Sequence, residues 1–162
     1  MRLRGLQYAH LAKVMPGRLA AQAIAAIVVF GLFLGDVPLP ALLGWLAVQA
    51  AVLYYTARTD RRLEDADRRQ VGPEELREQI VGSVVAAVVW SMPMLFFPSA
   101  SGMADHLALW TVTAMLAAGA AIWLSAAPLG SIIFCTITGI ASAIAFSAEG
   151  AFGITAVIAL FT

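Results

Sequence analysis

The stretch IVGSVVAAVVWSMPMLFF, residues 80–97, decides how the rest of the chain is read. It holds no charged residue, and as a helix rising 1.5 Å per residue it is about 27 Å long. The hydrocarbon core of a bilayer is roughly 30 Å thick and takes a helix of roughly 17–25 apolar residues. The segment is therefore expected to span a membrane. It is too apolar along its whole length to be a one-sided surface helix.

Working outward, four more runs of similar character appear, at residues 19–34, 41–57, 106–124 and 129–146, and a shorter one at 151–162. Residues rich in turn-formers separate them: Gly35-Asp36-Val37-Pro38-Leu39-Pro40, Pro98-Ser99-Ala100-Ser101-Gly102, Ala126-Ala127-Pro128 and Glu149-Gly150. The expected fold is all-α, a polytopic transmembrane bundle of about six helices occupying residues 19–162. The last run is about 18 Å long as a helix, short of a full span. A helix ending in lipid leaves its final carbonyls unpartnered. This leads to the expectation that the sixth helix is cut short and that more protein follows Thr162.

Composition agrees. Of the 162 residues, 61% are hydrophobic and 12% charged, and mean hydropathy is +0.86. A water-soluble domain of this size leaves too much surface exposed to bury so much apolar area. Cys135 is the only cysteine. It lies in an apolar run, has no partner for an internal disulfide, and reads as a small core residue. Residues 1–18 lack the pattern of a cleaved secretory signal.

Two segments are polar enough for water. Residues 1–18 form a juxtamembrane amphipathic helix, with Leu3, Leu6, Leu11 and Val14 near one face and Arg4 and Lys13 away from it. Residues 58–79 form a charged loop. Arg61 and Asp65, Glu64 and Arg68, and Asp65 and Arg69 are spaced as helical pairs. Gly72-Pro73 interrupts it, and Pro73-Glu74-Glu75 opens a new helix with acids at its positive end.

All ten Lys and Arg residues fall in these two segments, while Asp36, Asp105 and Glu149 mark three of the intervening turns. Basic residues collect on the cytoplasmic side. The expected placement is multi-pass in a membrane, with the N-terminus and the 58–79 loop in the cytoplasm.

Chemistry is sparse. The sequence contains no Cys/His/Asp/Glu spacing suited to a metal, no phosphate loop and no nucleophile elbow. No catalytic residue, metal ligand or cofactor is assigned. No charge lies deep within a span, which argues against a pump or ion-coupled carrier. Gln22, Gln49, Ser91, Thr111, Thr113, Thr136, Thr138 and Ser142 lie inside spans and are expected to bond between helices. Gly31 with Gly35, Gly82 with Ala86, Ala117 with Ala121, and Gly139 with Ala143 have the spacing of close-packed helix faces. Trp45, Trp110 and Trp123 lie toward span ends, as interfacial anchors do. Pro93 kinks the third span beside Trp90 and Met92. That kink is expected to shape an outward-facing pocket, and Trp90, Pro93 and His106 are the candidate ligand-sensing residues.

A further pattern runs the length of the chain. Leu3-Arg4, Gln7-Tyr8, Leu11 and Pro16 precede the first span, and an arginine-rich loop joins the second to the third. Trp90 and Pro93 lie in the third, and Ala126-Ala127-Pro128 separates the fourth from the fifth. This resembles the N-terminal six-helix membrane region found ahead of GGDEF-type diguanylate cyclase domains in alphaproteobacteria. Phosphodiesterase or histidine-kinase domains sometimes follow it instead. The resemblance implies an input or anchoring region for a C-terminal cytoplasmic output domain that makes or degrades cyclic di-GMP. It also implies placement in a bacterial inner membrane. A homodimer in the lipid bilayer is a further expectation, with no nucleic acid bound. No GGDEF motif occurs in this sequence, so no catalytic residue carries over. The alternative expectation is a small standalone transporter or channel-like protein for a neutral solute.

Overall fold

The structure is a computed structural model, and it describes residues 2–65, 73–97, 103–123, 128–148, 150, 151, 153–155 and 158. Among the described residues five long helices run in order: α1 (Arg2–Leu32), α2 (Leu39–Asp65), α3 (Pro73–Phe96), α4 (Met103–Trp123) and α5 (Pro128–Ala148). No strand occurs among the described residues, and the fold is all-α.

The juxtamembrane segment and the first span are one helix, not two. Pro16 lies inside α1, and the apolar part of that helix is Pro16–Leu32. Among the described residues, three helical stretches are long and apolar enough to cross a membrane: Leu39–Thr59, Arg77–Phe96 and Leu129–Ala148. α4 is 21 residues long and carries Asp105 in its first turn. Of the expected sixth span, residues 153–155 and 158 are helical, and the remainder lies outside the described residues.

Local sequence sets the ends. α1 stops after Leu32, and Gly35 takes φ 114°, a conformation that side chains with a Cβ avoid. Pro38 then accepts from the N–H groups of Ala41 and Leu42. Pro40 sits in the first turn of α2, where its missing N–H has no intrahelical partner to lose. α3 begins at Pro73 for the same reason. α5 ends in a Schellman motif. The Ala151 N–H donates to Phe146 O at 2.9 Å, the Gly150 N–H donates to Ser147 O at 3.1 Å, and Gly150 takes φ 74°.

α3 is central. It packs most extensively on α5 and also meets α2 and α4, while α1 packs on α2 and α4. The buried core includes Val29, Phe33, Leu42, Ala87, Trp90 and Phe146. Ile24, Ile27, Val85, Val88, Ile140 and Ile144 point outward and are exposed. A bilayer solvates such a belt without the free-energy cost water would impose.

Several sequence expectations change here. Trp45 is not an interfacial anchor: it is buried, and its indole Nε1–H donates to Val89 O at 3.0 Å. Trp110 packs against the core, and the side chain of Trp123 lies outside the described residues. The hydroxyls within the spans bond along their own helices. Ser91 donates to Ala87 O, Thr111 to Leu107 O, Thr113 to Leu109 O, Thr138 to Phe134 O and Ser142 to Thr138 O, each four residues back. In an apolar medium the nearest carbonyl is the lowest-cost partner for a short hydroxyl. Gly31 and Gly82 are not points of close helix approach, because a Cβ at either would meet nothing within 4 Å.

Candidate functional site

Side chains that the sequence scatters over the first three helices meet at one end of the bundle. Arg18 and Gln22 are four apart on α1 and so lie on one face. Thr56 and Thr59 on α2, and Gln79 and Ser83 on α3, share faces likewise. Together with Tyr55, Glu78 and Gly82 these residues line a cavity of about 70 Å³. Leu116 and Ala120 of α4, and Gly130 and Phe134 of α5, close its apolar side. All five helices therefore contribute to one cavity, at the end of the bundle where the basic residues lie.

The lining mixes polar side chains with an apolar wall. It offers one guanidinium, one carboxylate, two carboxamides, three aliphatic hydroxyls and one phenol. Two of the hydroxyls already donate to their own helices, Thr56 to Val52 O at 2.9 Å and Ser83 to Gln79 O at 3.0 Å. Their oxygens still have lone pairs to accept with. Gly82 leaves open space where any other residue would project a side chain.

Beyond the cavity the bundle closes. On α2 the inward face continues from Thr56 through Val52 and Gln49 to Trp45, all three of the latter buried. Gln49 is 1% exposed, and neither its Oε1 nor its Nε2 has a hydrogen-bond partner among the described residues. On α3 the face continues from Ala86 to Trp90 and Met94, and then to Phe97 just past the helix end, all buried. Trp45 and Trp90 meet edge to face, with ring centroids 5.8 Å apart, and Trp45 and Phe97 meet at 6.5 Å. Phe33 meets Phe97 at 5.4 Å. This aromatic layer fills the far end of the bundle.

The three residues singled out from sequence all lie in that far half. Trp90 and Pro93 are fully buried, and His106 is 1% exposed with its ring 6.5 Å from that of Phe146. Trp90 packs in the aromatic layer and Pro93 sits within α3, while His106 is placed across the bundle on α4. Met92 is exposed on the outer surface of α3 rather than beside them. The polar cavity at the opposite end was not picked out from sequence. Arg18 and Glu78 read there as parts of solvated segments, and Gln22 as a lone polar group in a span. The usable signal was the pairing of Arg18 with Gln22 and of Gln79 with Ser83 at four-residue spacing, each pair straddling the start of a span.

No group of three or more metal-ligating side chains occurs among the described residues. Compared with protein-family models, with curated proteins and with solved structures, the chain matches none of them.

Proposed function

We propose that this chain is the membrane-embedded input region of a bacterial signalling protein, held in the inner membrane with the cavity end toward the cytoplasm. The resemblance in residues Leu3 to Pro128 supports an output domain of the diguanylate cyclase type, attached after the sixth helix. The observation that carries the input reading is the cavity itself. Because α1 to α5 all line it, an occupant would bear on the packing of every helix at once. Helix rearrangement is the ordinary means by which a bundle passes a binding event to an attached domain.

The transporter reading is weaker on the same geometry. A continuous channel for a polar solute needs polar lining from one side of the membrane to the other. Here the polar lining gives way to Trp45, Trp90, Phe33 and Phe97 before the far end.

Expression of the natural gene product with measurement of cellular cyclic di-GMP tests the proposal. A changed level that depends on the cavity side chains, at equal membrane abundance, supports it. An unchanged level, with solute uptake that scales with expression, favours the transporter. Reporter fusions at residues 65, 102 and 149 test the orientation: the first is expected in the cytoplasm and the other two outside it.

A further inference from the structure

We infer that α2 has a second register against α3, one turn along, in which Gln49 replaces Trp45 at the Val89 carbonyl. The observed register satisfies one polar group and strands others. The Trp45 Nε1–H donates to Val89 O at 3.0 Å. Gln49 lies four residues on, on the same face of α2, and is 1% exposed. Neither its Oε1 nor its Nε2 has a hydrogen-bond partner among the described residues. Trp90 follows Val89 on α3, is fully buried, and its Nε1–H likewise lacks an acceptor among the described residues. Its ring meets that of Trp45 at 5.8 Å. Three buried polar atoms without partners are thus carried by the residue a turn beyond Trp45 and the residue next to Val89.

Trp45 meets Val89, and Thr56 and Glu78 line one cavity, so α2 and α3 run antiparallel. An advance of α2 toward its own N-terminal end by about 6 Å, four residues of helix, brings Gln49 to the level where Trp45 now stands. A carboxamide both donates and accepts. There its Nε2–H donates to Val89 O and its Oε1 accepts from the Trp90 Nε1–H. The indole that gives up the bond is not stranded. Trp45 lies about 9 Å from Leu39, where the apolar stretch of α2 begins, and the advance leaves it about 3 Å from that boundary. An indole N–H at a membrane boundary meets water. The other end of α2 can follow. The helix continues to Asp65, past the end of the apolar stretch at Thr59, so the turn that enters is already formed. Arg58 is exposed, and its long stem lets the guanidinium stay at the surface. One-turn displacements are an established way for packed helices to hold two discrete arrangements. Tyr55, Thr56 and Thr59 belong to α2 and line the cavity, so an occupant that fits one lining better favours the matching register. That last link rests on the proposed input role, and the two registers do not.

The test is pulsed electron paramagnetic resonance on the full chain in phosphatidylglycerol nanodiscs, with nitroxides at Leu39→Cys and Val81→Cys in a Cys135→Ser background. Both sites are exposed, and Cys135 is the only native cysteine. They lie toward opposite ends of the α2–α3 pair, so the advance lengthens their separation by about 5 Å. The parent is expected to show a main distance and a second one about 5 Å longer. Gln49→Leu should keep only the shorter distance, Trp45→Phe should shift the population to the longer, and the double variant should return to the shorter. A second readout is the Trp90 indole N–H in nitrogen-15 spectra, assigned by its loss in Trp90→Phe. It is expected to sample two environments in the parent and one in Gln49→Leu. The same single distance in the parent and in Trp45→Phe overturns the inference, as does a longer component that survives in Gln49→Leu. If Trp45→Phe does not fold, the Trp90 signal decides, and a single environment in the parent overturns it. Both readouts concern α2 and α3 alone, so their failure leaves the cyclic di-GMP test of the proposed function standing.

Discussion

The indole N–H of Trp45 donates to the carbonyl of Val89 at 3.0 Å, the carbonyl that Pro93 leaves without its helical partner. In a regular helix the N–H of residue 93 would donate to the carbonyl of residue 89, and proline has no N–H. In the apolar interior of a bundle, an unpartnered carbonyl costs several kcal/mol. A side chain from α2 thus completes the backbone of α3, and the two helices are joined at the position where α3 is weakest.

This relationship makes Trp45 and Pro93 energetically coupled. Trp45→Phe is expected to destabilise the bundle by about 1–3 kcal/mol from the lost hydrogen bond, plus a packing loss. In a Pro93→Ala background the restored N–H would serve Val89, and only the packing loss should remain. A double-mutant cycle read by unfolding in mixed micelles should give a coupling of about 1 kcal/mol or more. Additive effects would mean that the Val89 carbonyl does not depend on the indole.

Gln49 presents the opposite case. Its amide is buried between Trp45 and Thr56 on the inward face of α2, with neither polar atom bonded among the described residues. Burial of a polar group without partners costs roughly 1–3 kcal/mol. Gln49→Leu keeps similar bulk and removes that cost, so the variant is expected to be more stable by about 1–2 kcal/mol. A drop in unfolding free energy instead would show that the amide is engaged in the folded protein.

These two residues also show what the sequence made legible. Long runs without charge declare membrane helices through length and composition alone, which are properties of single segments. Pro73, Gly35 and Gly150 mark helix ends because their backbone constraints are local. The partner of Trp45 is a carbonyl 44 residues away, and nothing in the spacing of the two names it. The cavity escaped notice for a related reason. Arg18 and Glu78 lie near the ends of their spans, where charges are ordinarily solvated, and only the packing of five helices turns them toward one space. The hydroxyls misled in the other direction. A threonine in an apolar helix reads as an interhelical group, yet Thr113 and Thr138 satisfy themselves one turn back.

That self-satisfaction is measurable. Thr113→Val, Thr138→Val and Ser142→Ala each remove a hydroxyl whose acceptor belongs to the same helix. The carbonyls concerned keep their backbone partners, so the triple variant is expected to lose less than ~1 kcal/mol in total. Hydrogen bonds between membrane helices average about 0.6 kcal/mol and reach about 1.7. A loss of several kcal/mol in the triple variant would therefore require partners on other helices.

Gly31 and Gly35 share the spacing of a helix-packing pair but occupy different backbone states, and their alanine variants should move stability in opposite directions. Gly31 is helical, and a Cβ there meets nothing within 4 Å. Alanine at this position gains helix propensity without a clash, worth about 0.5–1 kcal/mol of added stability. Gly35 is also open in space but takes φ 114°. Alanine there is strained by its own backbone, at a cost of about 1–3 kcal/mol. Unfolding of the two single variants under identical conditions compares them directly. If Gly31→Ala were destabilising to a similar degree, the absence of a Cβ at Gly31 would be needed for contact with another helix, and a second copy of the chain is the partner that oligomeric-state measurements on the same variant would then reveal.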